Sequence, residues 1–350
     1  MQIEKKLIGL YVEILSLCNQ RCIYCYNGDN LNKNDKLSLD RIKELAQQTK
    51  SICDDDKFQI TLSGGEPLLH PNFIEILDCF AQHKIKVGII TNLTLLDKNM
   101  AKELSERNID IQITIDGTEK YNDISRGKGC FQKQIEGIKL LNQANYKSNL
   151  SVRSNLWLGN AFDENIKFMF ELCQKYNINN LHFALAHKTN LFKDTLDNTD
   201  QVQRINELIE IMKKDYKDVK TSFDGSNIDF GCPFTSDKNE VGFNLKITPT
   251  GYVYPCQMFD SIEFSLGNIH SANLIDILNY EKTNNFLNLM RLRKYFIKQC
   301  IKCVHQTICS GGCPAKSYFI HNNLFELDNA CSLRKKLLNK KVLDLIENQS

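Results

Sequence analysis

Six short runs rich in β-branched residues alternate with amphipathic stretches over residues 10–216, and that alternation confines the chain to folds built on a parallel sheet. The strand candidates are 10–16, 58–62, 85–90, 109–115, 149–156 and 180–186. Helical stretches fall at 39–50, 71–83, 97–107, 131–144, 163–176 and 200–216, each with apolar residues three and four apart. Six βα units with right-handed crossovers result. They are too few for the usual eight-stranded barrel, so periodicity leaves a doubly wound sheet and a curved, open barrel both standing. Beyond about residue 220 the pattern becomes turn-rich and cysteine-rich, with a hairpin expected from 243–247 and 252–254 around Gly251.

Composition narrows the class. Lys and Arg number 44 against 42 Asp and Glu, a formal charge of +2, so no global field calls for nucleic acid or an anionic membrane as partner. No apolar run approaches the length of a membrane span, and the N-terminus lacks a signal peptide's apolar core and cleavage site; a cytoplasmic location is the expectation. Fourteen cysteines are too many for an ordinary reduced enzyme and too few for a disulfide scaffold, which leaves metal as the simplest explanation. Cys53, Cys79, Cys130 and Cys173 lie singly in or beside helical patterns and read as buried structural thiols. The basic run Arg334, Lys335, Lys336, Lys340 and Lys341 in the last helix, 333–347, reads as a solvated face.

Directly after the first strand stand Cys18, Cys22 and Cys25. Three thiolates within eight residues of one loop can ligate three irons of a cubic cluster and leave the fourth open. A zinc knuckle short of one ligand would share the spacing. The C-x3-C-x2-C pattern, with Tyr24 just before its last cysteine, resembles the signature of the radical S-adenosylmethionine (SAM) superfamily. Further loops match that family's SAM-binding motifs. Ser63-Gly64-Gly65-Glu66-Pro67 follows the second strand; its glycines permit close approach of a ligand and Pro67 holds Glu66 extended. Thr91 and Asn92 follow the third strand, Thr114 lies near the end of the fourth, and Asp116-Gly117 follows it, with Arg126 downstream as in the family's peptide-modifying branch. Arg153 on the fifth strand is the candidate to grip the SAM carboxylate. The loops of Cys18 to Cys25, Gly64 to Glu66, Thr91 to Asn92 and Asp116 to Gly117 each begin where an expected strand ends, the catalytic edge of a parallel sheet. The resemblance implies a partial (β/α)6 TIM-like barrel, with residues 1–195 as radical SAM core and 196–225 as last barrel helix and linker.

The second constellation is Cys300-x2-Cys303-x5-Cys309-x3-Cys313, then Cys331, preceded by Cys232 and by Cys256 in a G-x4-C beginning at Gly251. It resembles the SPASM domain, a C-terminal extension over 226–350 that holds two auxiliary 4Fe-4S clusters. By that resemblance Cys300, Cys303, Cys309 and Cys331 ligate an outer cluster, and Cys313 joins Cys232 and Cys256 at an inner one. Cysteines from separate loops would pin a region expected to have little core of its own. Seven cysteines serve where two clusters need eight ligands, so the inner cluster has an open iron or a non-cysteine ligand, with Asp229 and Asp237 as candidates. Two structural zinc sites are the alternative.

In that family a 5'-deoxyadenosyl radical takes a hydrogen atom from the substrate, and an auxiliary cluster can accept a second electron, making the overall change an oxidation. A base must take the proton. In the anaerobic sulfatase-maturing enzymes an Asp directly after the G-x4-C cysteine does so; Gln257 stands there in this chain, which argues against formylglycine formation unless Asp260 or Glu263 substitutes. About nine residues precede the first expected strand, so recognition of a leader peptide is expected from elsewhere. The leading expectation is a maturase that forms a thioether, carbon-carbon cross-link or related oxidation in a ribosomal peptide or protein, with a small redox protein as electron donor. Dehydrogenation of a small molecule such as a sugar alcohol or cofactor precursor, and a non-catalytic iron-sulfur or zinc scaffold, are the alternatives.

Overall fold

A computed structural model describes residues 3–52, 58–188, 192–224, 232–235 and 239–347; Cys53, Asp229 and Asp237 lie outside these residues. The chain runs β1 (Glu4–Leu15), α1 (Leu39–Ile52), β2 (Gln59–Gly64), α2 (Phe73–Gln82), β3 (Lys86–Thr91), α3 (Lys98–Glu106) and β4 (Asp110–Thr114). It continues through α4 (Glu119–Arg126), α5 (Cys130–Gln143), β5 (Leu150–Leu156), α6 (Asp163–Lys175), β6 (Asn180–Leu185), α7 (Thr199–Asp215) and β7 (Lys220–Phe223). The C-terminal part comprises β8 (Glu240–Ile247), β9 (Tyr252–Tyr254), β10 (Gly267–Asn268) and α8 (Leu274–Asn279). After these come α9 (Glu281–Phe296), α10 (Lys298–Ile301), α11 (Gln306–Cys309), α12 (Pro314–His321) and α13 (Cys331–Glu347).

One sheet takes up all ten strands in the order β10-β9-β8-β1-β2-β3-β4-β5-β6-β7, open between its two ends. Strands β1 to β7 pair in sequence, all parallel. Six βα units were expected, and the sheet carries further at both edges. The four-residue β7 pairs with β6. On the other side β8 lies parallel to β1, Gly9 opposite Asn244 and Tyr11 opposite Lys246. The expected hairpin forms, with Lys246 opposite Tyr254 and Ile247 opposite Val253. A division at 196–225 thus cuts across one continuous sheet. Helix α4 has no counterpart in the hydrophobic periodicity, because its buried residues are Asn122, Ser125 and Arg126.

Strand parity separates core from lumen. Leu10, Val12, Ile14, Ile60, Leu62, Ile111, Ile113 and Val152 are fully or almost fully buried in the main apolar core. Each such side chain contributes about 1.5–3 kcal/mol by leaving water. The alternate residues Tyr11, Thr61, Ser63, Gln112, Ser151, Arg153 and Asn155 line a cavity instead. The C-terminal region has more core than expected. Phe243 on β8 stacks on Phe234 (ring centroids 5.1 Å apart), which meets Phe286 of α9, and Phe259 bridges Phe286 to Phe264. These rings belong to the same apolar core as the barrel. Cys79, Cys130 and Cys173 are buried as expected. Arg334 departs from the expected solvated face: it is buried and paired with Asp328, while Lys335, Lys336 and Lys340 are exposed. The side chain of Lys341 lies outside the described ones. Among the described residues no helix is long and apolar enough to cross a membrane.

Candidate active site

A cavity of about 530 Å³ runs along the lumen, from Gln59, Asp110 and Asn149 at strand starts to Gly64, Thr91 and Thr114 at strand ends. Cys18, Cys22 and Cys25 line it, together with Tyr24, Gly64, Gly65, Glu66, Asn92, Thr114, Arg126 and Arg153. The far wall comes from the C-terminal region as Gln257, Met258, Asp260 and Phe319. Asp116 and Glu263 are not on the wall.

The cysteine loop is held from two sides. On one, the amides of Gly65 and Glu66 donate to the carbonyls of Leu15 and Leu17 at 2.8 and 2.9 Å. A Cβ at Gly65 would overlap the Leu17 carbonyl, and one at Gly64 (φ +133°) the Leu15 carbonyl. The close approach that these glycines allow is therefore to the strand leading into Cys18. Glu66 is extended, and its buried carboxylate accepts from Thr91 Oγ1 (2.6 Å), Asn92 N (2.8 Å) and Leu68 N (3.2 Å). Burial pushes its carboxyl up, against these hydrogen bonds. The Asn92 side chain donates to Asn19 Oδ1 inside the cysteine loop at 2.8 Å.

On the other side stands a buried polar network. Tyr24 Oη donates to Asp116 Oδ2 and accepts from Arg126 Nη1 at 2.8 Å. Asp116 also accepts from Ser125 Oγ (2.7 Å) and Asn155 N (2.9 Å), and lies 3.8 Å from Arg126. It is fully buried beneath the cavity surface, in contact with Tyr24 and Arg126. Arg126 reaches Gln20 Oε1 at 3.3 Å, and Gln20 in turn donates to Cys130 Sγ at 2.8 Å. The Arg126 Nε is buried without a hydrogen-bond partner among the described residues.

Burial pushes the thiol of Cys18 up to about 11 and that of Cys25 to about 12; the Cys22 thiol is raised too, with Arg126 opposing. Three sulfurs beside a buried guanidinium, one of whose donors has no protein acceptor, make a soft donor set that, once deprotonated as ligands, has a countercharge at hand. That chemistry fits an iron-sulfur cluster. Arg153 donates Nε to Asn155 Oδ1 at 3.1 Å and faces the same cavity.

Residues that hydrophobic patterning overlooked also line this cavity: Tyr11, Asn244, His187 and Lys188. The signal for Tyr11 and Asn244 is a polar side chain at an alternate position of an apolar strand; His187 and Lys188 lie beyond the end of β6. Tyr11 Oη donates to Ser63 Oγ at 2.7 Å. Burial drives His187 down to about 3, with Lys316 and Arg153 adding repulsion and Asp224 opposing. Of the two base candidates, Asp260 borders the cavity and its carboxyl is raised by burial, with Lys246 opposing. Glu263 is taken up outside it by Tyr318 Oη and Ser261 Oγ.

In the C-terminal region Cys232, Cys256 and Cys313 lie within electrostatic reach of one another, and burial raises the first two, Cys256 to about 12. Cys300, Cys303, Cys309 and Cys331 surround a separate small cavity. Arg293 organises the loops between them. Fully buried, it donates to Ser317 Oγ at 2.6 Å and to the carbonyls of Gly311, Leu324 and Glu326.

Residues 12–173 match the model of the radical SAM superfamily, and residues 240–304 that of SPASM, an iron-sulfur cluster-binding domain. The chain is 25% identical over 343 residues to the antilisterial bacteriocin subtilosin biosynthesis protein AlbA of Bacillus subtilis (strain 168), covering 95% of this chain and 72% of that one. It is 26% identical over 340 residues to the cysteine-type anaerobic sulfatase-maturating enzyme of Clostridium novyi (strain NT), covering 88% of each. Its fold is similar to that of native anSMEcpe with bound AdoMet and Cp18Cys peptide, with a TM-score of 0.74 and 18% identity over 98% of this chain and 99% of that one. The chain is thus built from a radical SAM domain, which takes S-adenosylmethionine and a 4Fe-4S cluster, followed by a SPASM domain that binds further iron-sulfur clusters.

Proposed function

We propose that this chain is a maturase that oxidatively modifies a ribosomally made peptide or protein, forming a thioether, a carbon-carbon cross-link or a related oxidised product. One observation carries the reading. A single cavity has the three-cysteine loop on one wall and the segment following Cys256 on the other, so a substrate held between them meets both cofactor-bearing regions. The relatives' names, a bacteriocin biosynthesis protein and a sulfatase-maturating enzyme, and the peptide bound in the similar structure support a peptide or protein substrate over a small molecule.

In this reading Cys18, Cys22 and Cys25 hold the SAM-binding cluster. Cys300, Cys303, Cys309 and Cys331 hold the outer auxiliary cluster, and Cys232, Cys256 and Cys313 the inner one. Bound SAM and its cluster supply hydrogen-atom abstraction from an unactivated C–H bond. Arg153 offers its guanidinium to the SAM carboxylate. Tyr24, Gly64, Gly65, Glu66, Asn92 and Thr114 shape the SAM pocket, and Asp116 fixes Tyr24 and Arg126. The barrel and the C-terminal wall hold the substrate and limit water. Asp260 takes the proton, because its raised carboxyl is a better base near neutrality than an ordinary carboxylate. Gln257 beside it cannot, which weighs against formylglycine as the product.

Anaerobic reconstitution tests this. The expected result is about twelve irons per chain, reductive release of 5'-deoxyadenosine from SAM, and a peptide product lighter by two hydrogens. Asp260→Asn should lower kcat by roughly 10²-fold with SAM cleavage intact, while Glu263→Gln should not. A preparation holding only zinc, or one that leaves SAM intact, would refute the reading.

A further inference from the structure

The surface outside the small cavity of Cys300, Cys303, Cys309 and Cys331 combines two features. A large exposed apolar residue stands next to each of three of the cysteines. Ile301 follows Cys300 and is 58% exposed, Val304 follows Cys303 and is 87% exposed, and Ile308 precedes Cys309 and is 49% exposed. The preceding helix α9 adds Leu292 and Phe296, the latter 66% exposed. A run of large apolar side chains held in water marks a contact surface.

The exposed charges interleaved with these apolar residues are cationic. Residues 282–325 contain no Asp or Glu and seven Lys or Arg, of which Arg293 and Lys294 are buried. Lys298 and Lys302 are exposed on either side of Ile301, and exposed Lys335 borders the cysteine cavity itself. The segment therefore shows an apolar centre with a cationic rim, the layout of an interface that steers an anionic partner and then desolvates. A second copy of this chain would bring the same cations against each other, so self-association is disfavoured.

We propose that this face is the docking surface for a small acidic one-electron carrier protein, seated over Ile301, Val304 and Ile308 and ringed by Lys298, Lys302 and Lys335. The proposal rests on the reading that these four cysteines hold the outer cluster. Each flanking apolar residue is one position from a ligand, so the surface against which the carrier packs is the outer wall of that site. One electron crosses per encounter: the auxiliary cluster is oxidised as the carrier's redox centre is reduced, and no proton or group moves with it.

The experiment uses the reconstituted holoenzyme and an acidic flavodoxin as probe. Iron content and cluster spectra are measured first, for wild type, the double variant Lys298→Glu/Lys302→Glu and Val304→Ser. Equal iron in all three shows that the cluster reading is intact; a wild type without auxiliary iron defeats that reading, and the docking proposal with it. Titration calorimetry should then show flavodoxin binding that weakens as salt rises, at least tenfold weaker for the double variant and several-fold weaker for Val304→Ser. Flavodoxin reduction by turning-over enzyme should fall in parallel, while 5'-deoxyadenosine release driven by dithionite stays at wild-type rate. Equal affinity in variants that keep their iron would overturn the proposal. So would a chain dimer that Val304→Ser dissociates, or duplex DNA binding that the double variant abolishes while flavodoxin does not bind.

Discussion

Arg126 Nη1 donates to the hydroxyl of Tyr24 at 2.8 Å across 102 residues of chain, and that hydroxyl donates in turn to Asp116, 3.8 Å from the guanidinium. The aromatic residue of the cysteine loop is thus tied to the fourth strand's loop by a buried ion pair. Replacing Asp116 with Ala strands Arg126 as an unpaired buried charge and should cost about 3–5 kcal/mol. Tyr24→Phe, which removes one hydroxyl, should cost about 1 kcal/mol. Urea unfolding monitored by circular dichroism measures both; equal costs would mean that the ion pair contributes nothing.

Gly65→Ala places a methyl group against the backbone of Ser16 and Leu17, atoms that cannot rotate away. The expected cost exceeds the ~1–3 kcal/mol of ordinary overpacking. Because those residues lead into Cys18, the variant should lose about four irons while its C-terminal clusters persist. Retention of full iron would show that the β2 loop does not position the cysteine loop.

Arg293→Lys should produce the reverse pattern. A single ammonium cannot replace a planar fork that serves three carbonyls and a hydroxyl, and each acceptor left unmet costs about 1–3 kcal/mol. The loops bearing Cys309, Cys313 and Cys331 should loosen, and auxiliary iron should fall by up to about eight atoms. SAM cleavage should survive without substrate oxidation. Normal iron content in this variant would refute the role assigned to Arg293.

His187 gives the molecule an acid sensitivity. Folded, its imidazole is held to about 3, largely by burial; unfolded, it titrates near 6.5. Between those values the unfolded chain binds more protons, so stability falls as the pH drops from about 6.5 towards 3. His187→Asn should flatten that stretch of the curve in urea melts at successive pH values. An unchanged slope would place the acid sensitivity in other groups.

The alternation of strands and helices to residue 216 was readable because each element carries an apolar face of its own period. Helix α4 was not, since what it buries is Asn122, Ser125 and Arg126, polar residues that bond Asp116, Gln134 and the cysteine loop's Tyr24 and Gln20. Strand β8 was legible as half of a hairpin but not as β1's neighbour, because parallel pairing across more than 200 residues leaves no local mark. At the site, cysteine spacing and loop placement singled out the residues that now line one cavity. They did not distinguish Asp116, spent beneath the surface, from Arg126 on the wall, or Asp260 from Glu263. Those differences lie in which hydrogen-bond partners the fold supplies. His187 and Lys188 follow a strand in no recognisable motif, and only curvature of the sheet brings them to the cavity.

The pairing of β1 with β8 also sets an order of events at the ribosome. The N-terminal strand is made first yet sits between two parallel neighbours, one of which emerges some 230 residues later. Until then one whole edge of β1 remains without a partner, an invitation to improper pairing of the sort that chaperones exist to prevent. Loop closure over so long a span is slow, so the nascent barrel must wait, incomplete, for a strand that belongs to the cysteine-rich half of the chain.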